Sequence, residues 1–280
     1  MYVLVLSLTF TANYAYITCK TSVSLTSIQH FIVKNKSSSS VLNTQLQHIH
    51  NIMIESTTAT DCNESEYVIV EGLRIRKEVY CIKEEVVANR RDFHKEPELS
   101  FREFKTTMKI AELLTKYGID EVYHQIHEVP EVKGWTGVIA LIKGAGPGPC
   151  VALRADIDAL PIQEEDGLKV KDRYISEVTG VMHACGHDGH TAGLLAAARV
   201  LNDMKEKFYG VIKLIFQPAE EVGRGAKVLI DNYDCLGLKE DSKYGPKVDY
   251  IFGLHLITGK ILFMLIFLVY NNACLILIFS

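Results

Sequence analysis

Four β-rich runs limit the fold open to this chain. WTGVIALIKG closes at Gly144 and the turn-forming GAGPGP. CVALRADIDALP is a short buried strand that runs into an acidic loop. GVIKLIFQP stops at Pro218, and VDYIFGLHL ends near His255. Between and after them lie helix-forming stretches, TAGLLAAARVLNDM with a small-residue face and EEVGRGAKVLIDN. Strands that alternate with helices at this spacing predict an α/β fold, a mostly parallel sheet flanked by helices.

Upstream, the spacing of Val79, Ile82, Val86 and Val87 predicts a helix that Pro97 ends. A second helix follows in SFREFKTTMKIAELLTKYG. There Ser100 and Glu103 have the spacing of a capping box, and Gly118 sits where a C-cap belongs. Residues 20–70 are rich in Ser, Thr, Asn and Gln and read as a low-complexity linker. Residues 1–19 form an apolar run without a leading basic residue. They read as a signal segment or an apolar leader, so the cytoplasm and the secretory pathway both stay open. Residues 258–280 form an apolar tail in which Asn271 and Asn272 interrupt a run close to membrane-spanning length. Membrane contact by this tail is the less favoured reading. The regularly patterned region therefore spans 71–257.

A 280-residue chain that is 48% hydrophobic and 23% charged can bury a real core. Its net charge of -4 gives no basic surface for nucleic acid. Seven cysteines without regular spacing do not form a disulfide framework.

One of those cysteines stands beside histidines, in MHACGHDGHT at 182–191. Three more polar clusters follow the strand-like runs: Asp156 with Asp158, Glu220 with Glu221, and His255. In open α/β sheets, sites form beyond the carboxyl ends of the strands, so these clusters are expected to converge on one rim. Thiolate, imidazole and carboxylate are the ligands a divalent metal such as zinc accepts. Cys185 and His187, two residues apart, fit one side of an extended segment. A helix starting at Asp188–Thr191 is expected to lower the Cys185 pKa. Adjacent Glu220 and Glu221 permit one carboxylate to bind metal while the other takes a proton from water. Each element taken singly has a plainer reading. His255 reads as a core histidine, the glutamates as a solvated helix cap, the Asp pair as turn chemistry. His183 and His190 read either as supporting or as surface residues. The four together are harder to dismiss.

RRDFHKEPELSFREFKTT, RADIDALP, MHACGHDGHTAGLLAAARVL, IFQPAEEVGRGAKVLIDN and IFGLHL together resemble successive blocks of one amidohydrolase family. It is the family of hippurate hydrolases, N-acyl-amino-acid amidohydrolases and auxin-conjugate hydrolases, within the two-metal exopeptidase superfamily. The resemblance covers roughly residues 75–257. It implies metal-dependent hydrolysis of the amide bond of N-acyl amino acids or related small amides, with a small-molecule substrate. It implies two divalent metal ions, zinc or manganese, bridged by Cys185, with His187, Glu221 and His255 as further ligands. Glu220 would be the general base, and Asp158 the aspartate that supports a metal-bound histidine. Asp156 stands where related enzymes carry a histidine ligand. Phe93, His94, Pro97 and Glu98 match a block read as structural.

After His255 the family pattern continues with a dimerisation domain and a final histidine ligand, neither of which this sequence contains. The resemblance therefore implies an incomplete catalytic domain, with no basis for an oligomeric state. The alternative expectation is a truncated metal-binding pseudoenzyme without turnover.

Overall fold

The computed structural model describes residues 7–11, 14–18, 67–70, 73–124, 136–165, 174–256, 264–270 and 273–279. The linker reading falls largely on residues 20–66, outside the described residues. Strands β1 (Ser7–Thr11) and β2 (Tyr14–Thr18) lie near the amino terminus. The chain divides into two compact units, Met1–Thr9 with Tyr16–Cys81, and Phe10–Ala15 with Ile82–Ser280. In the first, β3 (Tyr67–Val70) and β4 (Leu73–Arg76) form an antiparallel hairpin that runs into a short helix, α1 (Lys77–Cys81).

The second unit is built on a sheet whose strands are β5 (Glu121–Tyr123), β6 (Val138–Lys143), β7 (Cys150–Asp156), β8 (Val211–Gln217), β9 (Tyr250–Gly253), β10 (Met264–Tyr270) and β11 (Ala273–Phe279). Their order is β11-β10-β9-β7-β8-β6-β5. Its helices are α2 (Lys83–Lys95), α3 (Phe104–Lys116), α4 (His187–Asp203) and α5 (Gly225–Tyr233). The central strands are buried almost throughout, which is why they read as continuous apolar runs. Helix α4 packs along β7, with α2 and α3 against it. Helix α5 contributes Leu229 and Tyr233 to a core cluster with Ile139, Ala152 and Ile215 from the sheet.

The α/β architecture is as expected, with one refinement in strand direction. Parallel pairing is confined to the centre, β7 with β8 and β7 with β9. Strands β6 and β5 run antiparallel, as do β10 and β11, so the sheet is mixed. The reason lies in the connection. Only residues 144–149 join β6 to β7, and a parallel crossover needs about a dozen residues or more. Strand β8 inserts between them.

One other expectation is modified. The helix predicted across 79–87 breaks at Ile82, where α2 begins anew. The tail forms two antiparallel strands in the backbone, and β10 meets β9 at Val269 and Ile251. Residues such as Ile, Val, Phe and Tyr favour that pleated arrangement. Among the described residues no helix is long and apolar enough to cross a membrane.

Lys213 breaks the apolar pattern of β8. It is fully buried, and its ammonium donates to the Pro246 carbonyl at 2.9 Å. Burial lowers its pKa.

Candidate metal centre

The parallel strands β7 and β9 end on the same rim, and the polar clusters gather there. Strand β7 ends at Asp156, with Asp158 two residues on; both are buried. Strand β9 ends at Gly253, just before His255. Helix α4 begins at His187, preceded by Gly186 at φ +84°. That left-handed residue turns the chain between Cys185 and His187. The two side chains therefore come together through a turn and not along an extended segment. The helix start is held tightly: a Cβ on Gly189 would lie 2.7 Å from Leu256 Cδ1.

His187 is fully buried. Its Nδ1–H faces the Asp158 carbonyl at 2.9 Å and the Asp158 carboxylate at 3.2 Å. This fixes the tautomer and leaves Nε2 with a free lone pair. Nε2 lies 3.7 Å from Glu221 Oε1, 3.7 Å from Asp156 Oδ2 and 3.9 Å from Glu220 Oε2. Among the described residues neither His187 Nε2 nor Glu221 Oε1, both buried, has a hydrogen-bond partner. Cys185, His187 and Glu221 each direct a ligand atom into one cluster. A second cluster joins His187 to Asp156, His190 and His255. Cys185 Sγ lies 3.5 Å from His255 Nε2, so the two clusters adjoin.

Buried atoms with lone pairs and no donors are expensive unless a cation meets them. The donor set of thiol, imidazole and carboxylate suits a divalent metal. The residues present therefore fit the metal that the sequence implied.

The electrostatics agree. Burial works against a charged His187, yet the Asp158 hydrogen bond and the Asp156, Asp158 and Glu221 carboxylates raise its pKa. Burial raises the Glu221 pKa, with His187 opposing. The carboxylates of Asp156, Asp158, Glu220 and Glu221 all lie within 3.9 Å of the His187 ring nitrogens. Cys185 corrects one expectation. Burial, then Glu221 and Asp156, push its thiol up to about 11. The expected lowering by the helix start is outweighed, first by burial and then by the neighbouring carboxylates. Asp188, the acidic residue of that first turn, is tied to His94 Nδ1 at 2.8 Å and Arg90 Nε at 2.7 Å.

Asp158 lies one step behind the cluster. Besides His187, its carboxylate accepts the Ser100 hydroxyl at 2.7 Å and the Glu221 N–H at 3.0 Å. These bonds hold its pKa below the usual carboxylate range against burial. Glu220 sits at the mouth, its side chain 38% exposed against 18% for Glu221.

His190, read from sequence as either supporting or surface, is buried and fully engaged. Its Nε2 accepts the Leu256 N–H at 2.7 Å, so Nδ1 carries the proton and donates to Asp156. With both nitrogens used, His190 braces the end of β9 and is not free to bind metal. Asp156, whose part the sequence left open, receives His190 and an Arg154 ion pair at 2.8 Å. Its carboxyl stays well below the usual range although burial opposes this. His183 is buried, neither ring nitrogen is paired among the described residues, and burial lowers its pKa to about 4.

Glu103 was missed as a site residue because its spacing suggested a helix cap. Helix α3 is capped instead by Glu98, which accepts the Lys105 and Thr106 N–H groups at 3.2 and 2.8 Å. Ser100 turns to Asp158, and Glu103 turns inward to Thr136 and to the Ala219 N–H.

Comparison with known proteins agrees with this geometry. Residues 152–264 match the profile of Peptidase family M20/M25/M40. An N-acetylcysteine deacetylase of Bacillus subtilis is 45% identical over 166 residues, 59% of this chain and 38% of the relative. An N-acyl-L-amino acid amidohydrolase of Geobacillus stearothermophilus is 39% identical over 184 residues, 65% of this chain and 44% of the relative. A dinuclear metal-binding peptidase of the M20 family from Bacillus subtilis superposes with a TM-score of 0.51 at 42% identity, covering 64% of this chain and 44% of that one. The chain thus spans less than half the length of these relatives. Over residues 152–264 the chain is thus similar to peptidase family M20/M25/M40, and 59–65% of its length aligns with these relatives.

Proposed function

We propose that this chain hydrolyses the amide bond of N-acyl amino acids or related small amides in a metal-dependent reaction. The observation that carries the reading is the buried, unpartnered pair His187 Nε2 and Glu221 Oε1 beside Cys185, with Glu220 at the mouth. The names of the relatives, an N-acetylcysteine deacetylase and an N-acyl-L-amino acid amidohydrolase, supply the substrate class.

Cys185, His187, Glu221 and His255 would hold two divalent cations, Cys185 being the ligand able to bridge them. Thiolate and imidazole suit zinc, and the carboxylate also admits manganese. When bound, such cations supply Lewis-acid polarisation of the amide carbonyl and of the attacking water. The division of labour between the glutamates follows their exposure. Glu221, the more buried, offers an unpaired oxygen inward. Glu220, the more exposed, meets water and substrate. Glu220 takes a proton from the attacking water and returns it to the leaving amine nitrogen. The acyl carbon gains a hydroxyl and loses nitrogen, giving a carboxylic acid and a free amino acid. Asp158 keeps His187 in the tautomer that presents Nε2.

The test is amino-acid release from a panel of N-acyl amino acids with Zn²⁺ or Mn²⁺ added, Glu220→Gln serving as the blank. Release by the parent, reduced about 10²- to 10⁴-fold in the variant with metal binding retained, is expected. Metal binding without release by either protein would overturn the reading in favour of a metal-binding chain without turnover.

A further inference from the structure

The turn that carries both glutamates is held in an unfavourable shape. Ala219 has φ +49°, a left-handed conformation that a residue with a Cβ adopts only uphill. The turn cannot relax toward α5, because Gly225 is packed under it. A Cβ at Gly225 would lie 1.6 Å from the Pro218 carbonyl oxygen. The Ala219 carbonyl accepts the Gly225 N–H at 3.0 Å, and the Glu220 carbonyl accepts the Gly223 N–H at 2.7 Å. What holds the other side of the turn comes from far away in the chain. The Ala219 N–H donates to Glu103 Oε1 at 2.8 Å, and the Glu221 N–H donates to Asp158 Oδ2 at 3.0 Å.

Glu103 has no local reason to be where it is. It is fully buried, and the first N–H groups of α3 are capped by Glu98 instead. Its second oxygen is bonded to the Thr136 hydroxyl, just before β6. The neighbouring backbone is fixed as well, since Gly137 N–H donates to the Thr107 hydroxyl at 2.8 Å. A carboxyl group is thus buried at a desolvation cost to join a rigid β6 entry to a strained turn.

We infer that Glu103 is a positioning residue whose carboxyl group holds Ala219 in its left-handed conformation and so aims Glu220 and Glu221 at the metal centre. Two buried acids then grip alternate peptides of one turn, Glu103 at 219 and Asp158 at 221, and Glu220 projects from between them. The consequence for chemistry rests on the proposed hydrolase reading; the grip on the turn does not.

The experiment compares the parent with Glu103→Leu, which fills the space without an acceptor, and Glu103→Gln, which keeps one. Amide hydrogen exchange at Ala219 and affinity for Co²⁺ are both read. In Glu103→Leu the Ala219 amide should exchange about tenfold faster, with Leu214 in β8 unchanged. Co²⁺ affinity should fall about tenfold. Glu103→Gln should restore both. Parent-like exchange and affinity in a folded Glu103→Leu protein of lowered melting temperature would reduce Glu103 to a packing residue and overturn the inference. Should Glu103→Leu fail to fold, Thr136→Val removes the brace on the carboxyl group and keeps the volume. Faster Ala219 exchange there supports the inference, and unchanged exchange overturns it. If the parent binds no Co²⁺, the hydrolase reading fails, and Ala219 exchange alone decides the role of Glu103.

Discussion

His187 and Glu221 face each other across 3.7 Å with one buried atom each, Nε2 and Oε1, that has no hydrogen-bond partner among the described residues. Neither atom can satisfy the other unless a proton or a cation lies between them. His187 Nδ1 is already committed to Asp158, so the imidazole cannot rotate to hide its lone pair.

A divalent cation should therefore stabilise the fold. Zn²⁺ at a hundredfold excess over its Kd is expected to add about 2.7 kcal/mol, and chelation should reverse the gain. Calorimetric melting with and without metal measures this. His187→Ala should abolish the response; a variant that keeps the full shift would place the metal elsewhere.

Asp158 touches three parts of the site at once, through His187, Ser100 and the Glu221 N–H. In Asp158→Asn one oxygen is replaced by an amide donor, which cannot accept from the groups that Asp158 now serves. Metal affinity should fall about 10- to 100-fold, as for other residues that orient a ligand. Isothermal titration would show it, and an unchanged Kd would remove Asp158 from the supporting role.

His190→Ala leaves the Leu256 N–H and an Asp156 oxygen without their partner in a buried place. The expected loss is about 3 kcal/mol in denaturant unfolding. A loss below about 0.5 kcal/mol, the range of ordinary surface substitutions, would mean that the end of β9 does not depend on this brace.

Glu103 should make stability depend on pH. Burial pushes its carboxyl up to about 7 from the usual 4.5; the Thr136 and Ala219 bonds oppose this and Asp158 adds to it. A raised pKa means that the folded state holds the proton more tightly than the unfolded one. The resulting stability is complete below pH 4.5 and is lost as pH rises through 7. Above that, the parent should carry a cost of about 3 kcal/mol that Glu103→Gln avoids. Urea unfolding of both proteins at pH 4.5 and pH 8 tests the sign. The advantage of the variant should be larger at pH 8, and a gap that shrinks would contradict it.

Much of the fold is legible in the sequence where local chemistry is decisive. The apolar runs of β6, β7 and β8 mark buried strands because both of their faces are covered. Gly118, at φ +79°, ends α3 as its position suggested. The direction of β6 was legible as well, in the short link at 144–149, but strand alternation alone points to the wrong pairing. The capping-box spacing of Ser100 and Glu103 misleads, because two stronger partners lie elsewhere. Ser100 meets Asp158, 58 positions away, and Glu103 meets Ala219, 116 positions away.

The sequence by itself determined which side chains could gather at the site. Thiol, imidazole and carboxylate stand at or near the ends of buried strands, and strands of one sheet bring their ends to a common rim. Only the tertiary structure decided which atom of each side chain is free. His190 and His187 belong to the same ten-residue motif, yet one has both nitrogens bonded and the other leaves Nε2 open. Motif spacing cannot separate them, because the difference is made by Asp156, Asp158 and Leu256. The same holds for the Cys185 thiol, whose pKa follows from burial and the carboxylates packed around it rather than from the helix that begins two residues later.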